Sequence, residues 1–434
     1  MQKRRTRGLL AAAAIAAMLM AACASDDDAA SDDGGSDGTE APDATGPAPG
    51  VTDDTIKVGV TYVDVESLKA SGLNFDLGDH KAVYNALFDD INANGGINGR
   101  KIEPVFAPIN PTQVSPAEEA CVKLTEDDDV FVITGFFLND AVVCPIATHE
   151  TAVVGGGMSP DRLEQATAPW LTWLPDTSAA AGAITTLQEK GELDGKVAVF
   201  SNARDQETLD TYVTPTLDDL GVDVVETGVA TTAADDPAAL QAEVQTIGEK
   251  FESSGADTVV LVGASGQDWP TAMSSNTSYR PKLIFLDPTA VKSFASNAAT
   301  TDTSILEGAL AVGPYGPDQA RFEEQSMQDC VQILTDAGLE TPSPKEAGND
   351  PSIRPFEAAF QACPDVVLLK AWLEAAGDNL NYGTLEQAAD GLKVTIPTDP
   401  TERTFGNGES GDGDPAAYIF AWDESAKDVV LVED

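Results

Sequence analysis

From residue 56 onward, short runs of β-branched and apolar residues alternate with longer stretches whose apolar positions recur at helical spacing, as βαβ units on a parallel sheet do. Ile56-Lys57-Val58-Gly59-Val60-Thr61-Tyr62-Val63 predicts a first strand. Residues 80–91 predict a helix, with Val83, Leu87 and Ile91 on one face. Asn94-Gly95-Gly96-Ile97-Asn98-Gly99-Arg100 reads as a turn into a strand over 101–106. Ser115-Pro116-Ala117-Glu118 supplies an N-cap, a proline at the first helical position and a capping-box glutamate in order, so a helix starts there. Strands are expected at 130–133 and 151–154.

A second series begins near Trp173, with a helix over 178–189 and strands at 196–200, 223–227, 258–262 and 283–286. Helices over 205–220 and 237–253 separate them, the latter capped by Asp236. Helices then cluster at 317–337, 352–375 and 384–392, and strands at 418–422 and 429–432 close the chain. Two α/β series laid end to end predict two domains.

Ahead of this region the chain reads differently. Lys3, Arg4, Arg5 and Arg7 precede an apolar run from Leu9 to Ala22, and Met20-Ala21-Ala22 leads to Cys23. This is the build of a secretory signal, and the run is short for the roughly 30 Å of a bilayer core. Cys23 after small residues resembles the lipobox of bacterial lipoproteins, which makes 1–23 a signal peptide ending at an acylated cysteine. Residues 24–50 hold no basic residue and consist almost wholly of Asp, Ser, Gly, Ala, Pro and Thr, so they predict a disordered acidic linker.

Composition narrows the function. Of 25 Lys and Arg, four lie in the leader, against 72 Asp and Glu in the chain. An acidic protein of this kind is a poor partner for nucleic acid, whose binding depends on cations neutralising phosphates. Beyond Cys23 stand Cys121, Cys144, Cys330 and Cys363, an even number that favours two disulfides in an exported chain. Three pairings are open; the shorter loops favour Cys121 with Cys144 and Cys330 with Cys363. No CxxC spacing occurs and the only histidines are His80 and His149, so no metal site is expected. The chain also lacks a Gly-x-Ser-x-Gly elbow, and neither histidine sits in a catalytic motif; no enzyme is expected.

Several segments carry a further resemblance: Ile56-Lys57-Val58-Gly59-Val60, residues 92–102 with their Gly-Gly-Ile-Asn-Gly-Arg turn, the Cys121 and Cys144 pair, Lys196-Val197-Ala198-Val199-Phe200, Gly255-Ala256-Asp257-Thr258-Val259-Val260 and Glu307-Gly308. In order and spacing they resemble the branched-chain amino-acid-type (Leu/Ile/Val-binding-like) substrate-binding proteins of ABC transporters, which have the type I periplasmic-binding fold. The resemblance implies an α/β protein of two lobes, each a mostly parallel sheet flanked by helices, joined by three crossovers. Residues 51–172 and 291–393 would form lobe 1, and 173–290 and 394–434 lobe 2. It implies a monomeric extracytoplasmic receptor, without cofactor, that captures an amino acid, amide or related small compound between the lobes and delivers it to permease and ATPase subunits. A sensor built on the same fold is the alternative.

The resemblance also points to binding positions at the strand ends. In amino-acid-binding relatives, donors after the third strand hold the ligand carboxylate; the matching Gly135-Phe136-Phe137-Leu138-Asn139-Asp140 has no Ser or Thr. Phe136 and Phe137 either stack on an apolar ligand or belong to the core, and Asn139 either bonds it or caps a helix. Asp140 at a helix start would repel a carboxylate. Gly157, Met158 and Ser159 follow the fourth strand, in either a ligand loop or a Gly-rich turn. Lobe 2 contributes Asp205, Gln206 and Gln267, the last where relatives place the acid that holds an ammonium. Tyr62 and Asp287 end their strands, and Trp269 and Tyr315 are aromatic candidates for a wall or hinge cover, or for packing. Together these departures predict a ligand other than an ordinary α-amino acid.

Overall fold

The computed structural model describes residues 48–434 apart from 71–74, 112–114, 176, 233–235, 298–299, 301, 349–351, 400, 412–416 and 433–434. The expected signal peptide, Cys23 and all but the end of the expected linker lie outside the described residues.

Strands that are covered on both faces are apolar throughout rather than alternating. Val132-Ile133-Thr134-Gly135 and Thr258-Val259-Val260-Leu261 are buried at every position. The first sheet contains β1 (Thr55–Val63), β2 (Lys101–Ile109), β3 (Val132–Gly135), β4 (Ala152–Val154) and β5 (Trp170–Leu171), all parallel, in the order β2-β1-β3-β4-β5. The second contains β6 (Lys196–Asn202), β7 (Asp223–Ala230), β8 (Thr258–Leu261), β9 (Lys282–Phe285) and β10 (Leu310–Gly313). β11 (Leu392–Thr395) and β12 (Glu402–Phe405) form a separate antiparallel pair. β13 (Tyr418–Asp423) and β14 (Asp428–Leu431) then extend the second sheet antiparallel, giving β14-β13-β10-β9-β8-β6-β7.

Each sheet has its own core. Helices His80–Ala93, Gln325–Asp336 and Glu357–Ala375 cover one face of the first, burying Tyr84, Phe88, Leu334, Leu369 and Trp372. Trp372 keeps its indole N–H satisfied by donating to the Leu385 carbonyl at 2.7 Å. Disulfides join Cys121 to Cys144 and Cys330 to Cys363, the pairing with the shorter loops. The second sheet packs on helix Pro237–Ser254, whose Val244, Ile247 and Phe251 lie against Trp269 and Phe285.

The chain passes between the sheets after β5, after β10 and between β12 and β13. Two of these passages fall later than expected. β10 pairs with β9, and Leu306 and Ala311 lie in the second core, so residues 291–313 stay with the second sheet rather than leaving it near Val291. Val394, Ile396 and Phe405 lie in the first core, so the return follows β12 rather than residue 394. A four-residue strand such as Leu310–Gly313 and a hairpin rich in Lys, Arg and Glu give little periodic signal. The helix expected over 205–220 runs without interruption from Gln206 to Asp219, with a π-helical stretch at Leu209–Val213. Pro215, which lacks the N–H that a regular α-helical ladder needs, stands just after that stretch.

Candidate functional site

Open α/β sheets place their binding loops at the carboxyl ends of the strands. One residue before the end of β1 stands half-buried Tyr62, whose ring is edge-on to Phe106 at 6.1 Å. Burial, then the carboxylates of Asp64 and Asp79, raises its phenol above the usual tyrosine range.

β3 ends at Gly135, with φ +113°. A Cβ there would lie 2.0 Å from the Thr61 carbonyl oxygen, so only glycine fits. The chain then turns through half-buried Phe136, Phe137 and Leu138 into the short turn Asn139–Val142. The Phe137 ring packs over Gly155 and Gly156 of the loop that follows β4. In that loop, Ser159 caps helix Pro160–Leu163 by accepting from the Arg162 amide at 3.4 Å. The Arg162 guanidinium donates to Asp140 Oδ1 at 3.0 Å and to the Gly157 carbonyl at 2.7 Å. Asp140 therefore meets a cation of its own chain at the helix start. Met158 is buried with Ala107, Ile146 and Trp170 in the core beneath this loop rather than lining a ligand surface.

Beyond β6, the Asn202 amide and Arg204 both donate to Asp268 Oδ2, at 3.1 and 3.4 Å. Asp205 accepts the Ser265 hydroxyl and, at 3.4 Å, the Ser265 amide. Gly263, at φ +65°, leaves room for that carboxylate. Burial raises the carboxyls of both Asp205 and Asp268, and Asp287 adds a like-charge contribution at Asp205. Asp287 caps helix Pro288–Ser296 through the Thr289 amide at 2.8 Å. Gln206 donates to Asp210 at 2.8 Å, and Gln267 is half-buried. Across the two sets of loops, the Asp161 amide donates to Glu207 Oε1 at 3.1 Å.

Two aromatic candidates stand elsewhere. Trp269 is fully buried, stacked on Phe251 at 5.1 Å, and is core rather than wall because its ring completes the packing under β6 and β8. Tyr315 lies on the second passage between the sheets, 6.4 Å from Trp173 and under the Arg321 guanidinium at 4.4 Å; burial pushes its phenol up to about 12.

Sequence reasoning missed Asp365, wholly buried on helix Glu357–Ala375. It accepts from the Tyr84 hydroxyl at 2.5 Å and the Trp173 indole at 2.7 Å. Burial pushes its carboxyl up to about 7, against the pull of these donors. A Cβ on Gly155 would lie 3.6 Å from its Oδ1, so it underlies the loop after β4. The signal was present: Asp365 is the only acid between Glu357 and Glu374 in an apolar helix. A cavity of about 550 Å³, lined by Lys292, Asp318, Arg354, Phe420 and Val430 among others, lies away from these strand ends. Among the described residues no helix is long and apolar enough to cross a membrane.

The sequence profile of the Periplasmic binding protein family matches residues 55–427. No curated protein matches significantly. Among solved structures, a periplasmic binding protein type 1 from Bordetella pertussis Tohama I is similar, with TM-score 0.60 and 16% identity over 88% of this chain and all of that one. A fatty acid ABC transporter substrate-binding protein from Thermomonospora curvata has TM-score 0.56 and 16% identity, covering 90% and 95% of the two chains. An ABC transporter substrate-binding protein from Desulfitobacterium hafniense in complex with Leu has TM-score 0.58 and 14% identity, covering 87% and 100%. With a family profile spanning nearly all the described residues, on two mostly parallel sheets flanked by helices, this chain belongs to the periplasmic binding protein family and has its type I fold.

Proposed function

We infer that this protein is a lipid-anchored, extracytoplasmic solute receptor of an ABC importer. It captures one small organic ligand between the loops of its two sheets and hands it to a membrane permease. The observation that carries the reading is the arrangement of loops at the carboxyl ends of β1, β3 and β4 opposite those of β6 and β8, linked by the Asp161 to Glu207 hydrogen bond. Tyr62, Phe136, Phe137, Gly157 and Ser159 form the first wall; Asp205, Gln206, Gln267 and Asp287 form the second. Hinge closure of the two lobes over the ligand supplies the signal the permease reads. Of the similar structures, one is a fatty acid ABC transporter substrate-binding protein and another is a substrate-binding protein in complex with Leu, and the family context supports binding rather than catalysis.

The charges of the site favour a ligand without a free carboxylate. Arg162 is occupied by Asp140 and Gly157, Arg204 by Asp268, and Asp205 and Asp287 add negative charge. An amide, an amine or a neutral aromatic compound meets no such opposition. A thermal-shift screen of the mature protein tests this, because a ligand that binds only the folded state raises its melting temperature. Stabilisation by amides or amines but not by the matching carboxylates is expected; micromolar binding of leucine, isoleucine or valine would refute the preference. Replacement of Cys23 by Ser should release the protein from membranes, and retention there would refute the lipid anchor.

A further inference from the structure

Helix Ser115–Val122 runs into the turn Lys123–Asp127, and the turn Cys144–Thr148 runs into His149. These elements bring Cys121 Sγ, Cys144 Sγ and an imidazole nitrogen of His149 within 4.8 Å of one another. Glu126 Oε1 stands 3.7 Å from His149 Nδ1. Among the described residues, no other group of three His, Cys, Asp or Glu residues gathers its ligand atoms this closely. Here the two sulfurs are bonded to each other, so neither is a thiolate.

We propose that reduction of this disulfide creates a binding site for a thiophilic divalent cation, Zn²⁺ above all, held by Cys121, Cys144 and His149 with Glu126 at the fourth position. A dithiol delivers two electrons and two protons to the S–S bond and leaves as its own disulfide, giving two thiols. Metal binding then displaces the two thiol protons, leaving two thiolates on the ion. Zinc takes sulfur at about 2.3 Å and imidazole nitrogen at about 2.0–2.1 Å, so side-chain rotations of about an ångström close this set into a tetrahedron. Two thiolates and an imidazole select Zn²⁺ over Mg²⁺ and Ca²⁺, which take oxygen ligands. The site is reachable, since Cys144 and His149 are half-buried and Glu126 is exposed. Disulfide and metal are alternative states of the same two sulfurs, so binding is gated by redox state.

Co²⁺ titration of the full mature protein tests this, after reduction by a dithiol whose excess is removed without oxygen. The reduced protein, native by circular dichroism, is expected to take one Co²⁺ per chain, with thiolate-to-metal absorption that Zn²⁺ abolishes; the oxidised protein should give none. His149→Ala should weaken binding at least tenfold. The Cys330→Ser/Cys363→Ser variant should keep the signal, and Cys121→Ser/Cys144→Ser should lose it. The proposal is overturned if the reduced protein unfolds or binds no Co²⁺, if the signal survives loss of Cys121 and Cys144, or if His149→Ala binds as tightly as the parent.

Discussion

The loops at the ends of the first sheet and those at the ends of the second solve different problems. The first set is built from glycines and aromatic rings, with Gly135 against the Thr61 carbonyl, Phe137 over Gly155 and Gly156, and its one arginine tied down by Asp140. The second is built from carboxylates, with Asp205, Asp268 and Asp287 on three successive strand ends and Arg204 held by Asp268. In the proposed receptor, one wall offers shape and apolar surface, the other hydrogen-bond acceptors and negative charge. A ligand that suits both has an apolar body and a donor-rich end.

The largest expected effect separates the walls by stability. Gly135→Val places a branched side chain where even a Cβ meets backbone oxygen at 2.0 Å, and at positive φ. Urea unfolding should show a loss of about 3–5 kcal/mol. Gly263→Ala meets instead the Asp205 carboxylate, the movable end of a side chain, at 2.5 Å. It should cost only about 1–2 kcal/mol while displacing Asp205. Equal losses in the two variants would break the comparison.

The buried acids extend it through pH. Asp365 has its carboxyl raised to about 7 in the fold, so between about pH 4 and 7 the folded state holds a proton that the unfolded chain has released. Its contribution to stability is full below that window and falls as pH rises through it. His80 works oppositely: burial lowers it to about 4, so its contribution is full above about pH 6.5 and falls as pH drops through 4. Asp365→Asn should therefore flatten the decline of stability toward pH 7, by about 4 kcal/mol relative to the parent, in denaturant melts across that range. Ligand preference should not change, because Asp365 is wholly buried and its carboxyl is taken up by Tyr84 and Trp173.

Asp205→Asn acts on the other wall. It removes negative charge where a donor-rich ligand end would lie and keeps an acceptor for Ser265. Affinity for an amine ligand should fall about tenfold, or roughly 1.4 kcal/mol, in calorimetry. An unchanged affinity would place the ligand elsewhere.

Much of the fold was legible because apolar runs and caps are local signals. Residues 80–91 fall within helix His80–Ala93, and Asp236 caps Pro237–Ser254 as its position suggests. What stayed hidden depended on distant pairing. Strands Trp170–Leu171 and Leu310–Gly313 are too short to show a period and exist because neighbouring strands accept them. At the site, sequence identified the loops but not their internal partners. Asp140 reads as a charge facing the ligand until Arg162, 22 residues later, is seen to hold it. Asp365 reads as a polar interruption of a helix until Tyr84 and Trp173 converge on it.

The Asp140 to Arg162 pair gives the smallest effect and the sharpest one. Its carboxylate side chain is 82% exposed and its guanidinium partner 23% exposed, so the pair adds little stability and Asp140→Asn should shift unfolding by less than about 0.5 kcal/mol. The substitution nonetheless removes the negative charge at the start of the turn Asn139–Val142 and leaves Arg162 only neutral acceptors, the new amide oxygen and the Gly157 carbonyl. A ligand carboxylate then outcompetes the amide oxygen for the guanidinium N–H groups, a charge-assisted contact the parent denies it. Benzoate and hexanoate should gain several-fold in affinity over the parent, while benzamide and hexanamide stay within twofold. If acids and amides move together, Asp140 shapes the loop without selecting charge, and the contrast between the two walls reduces to packing on one side and capping on the other.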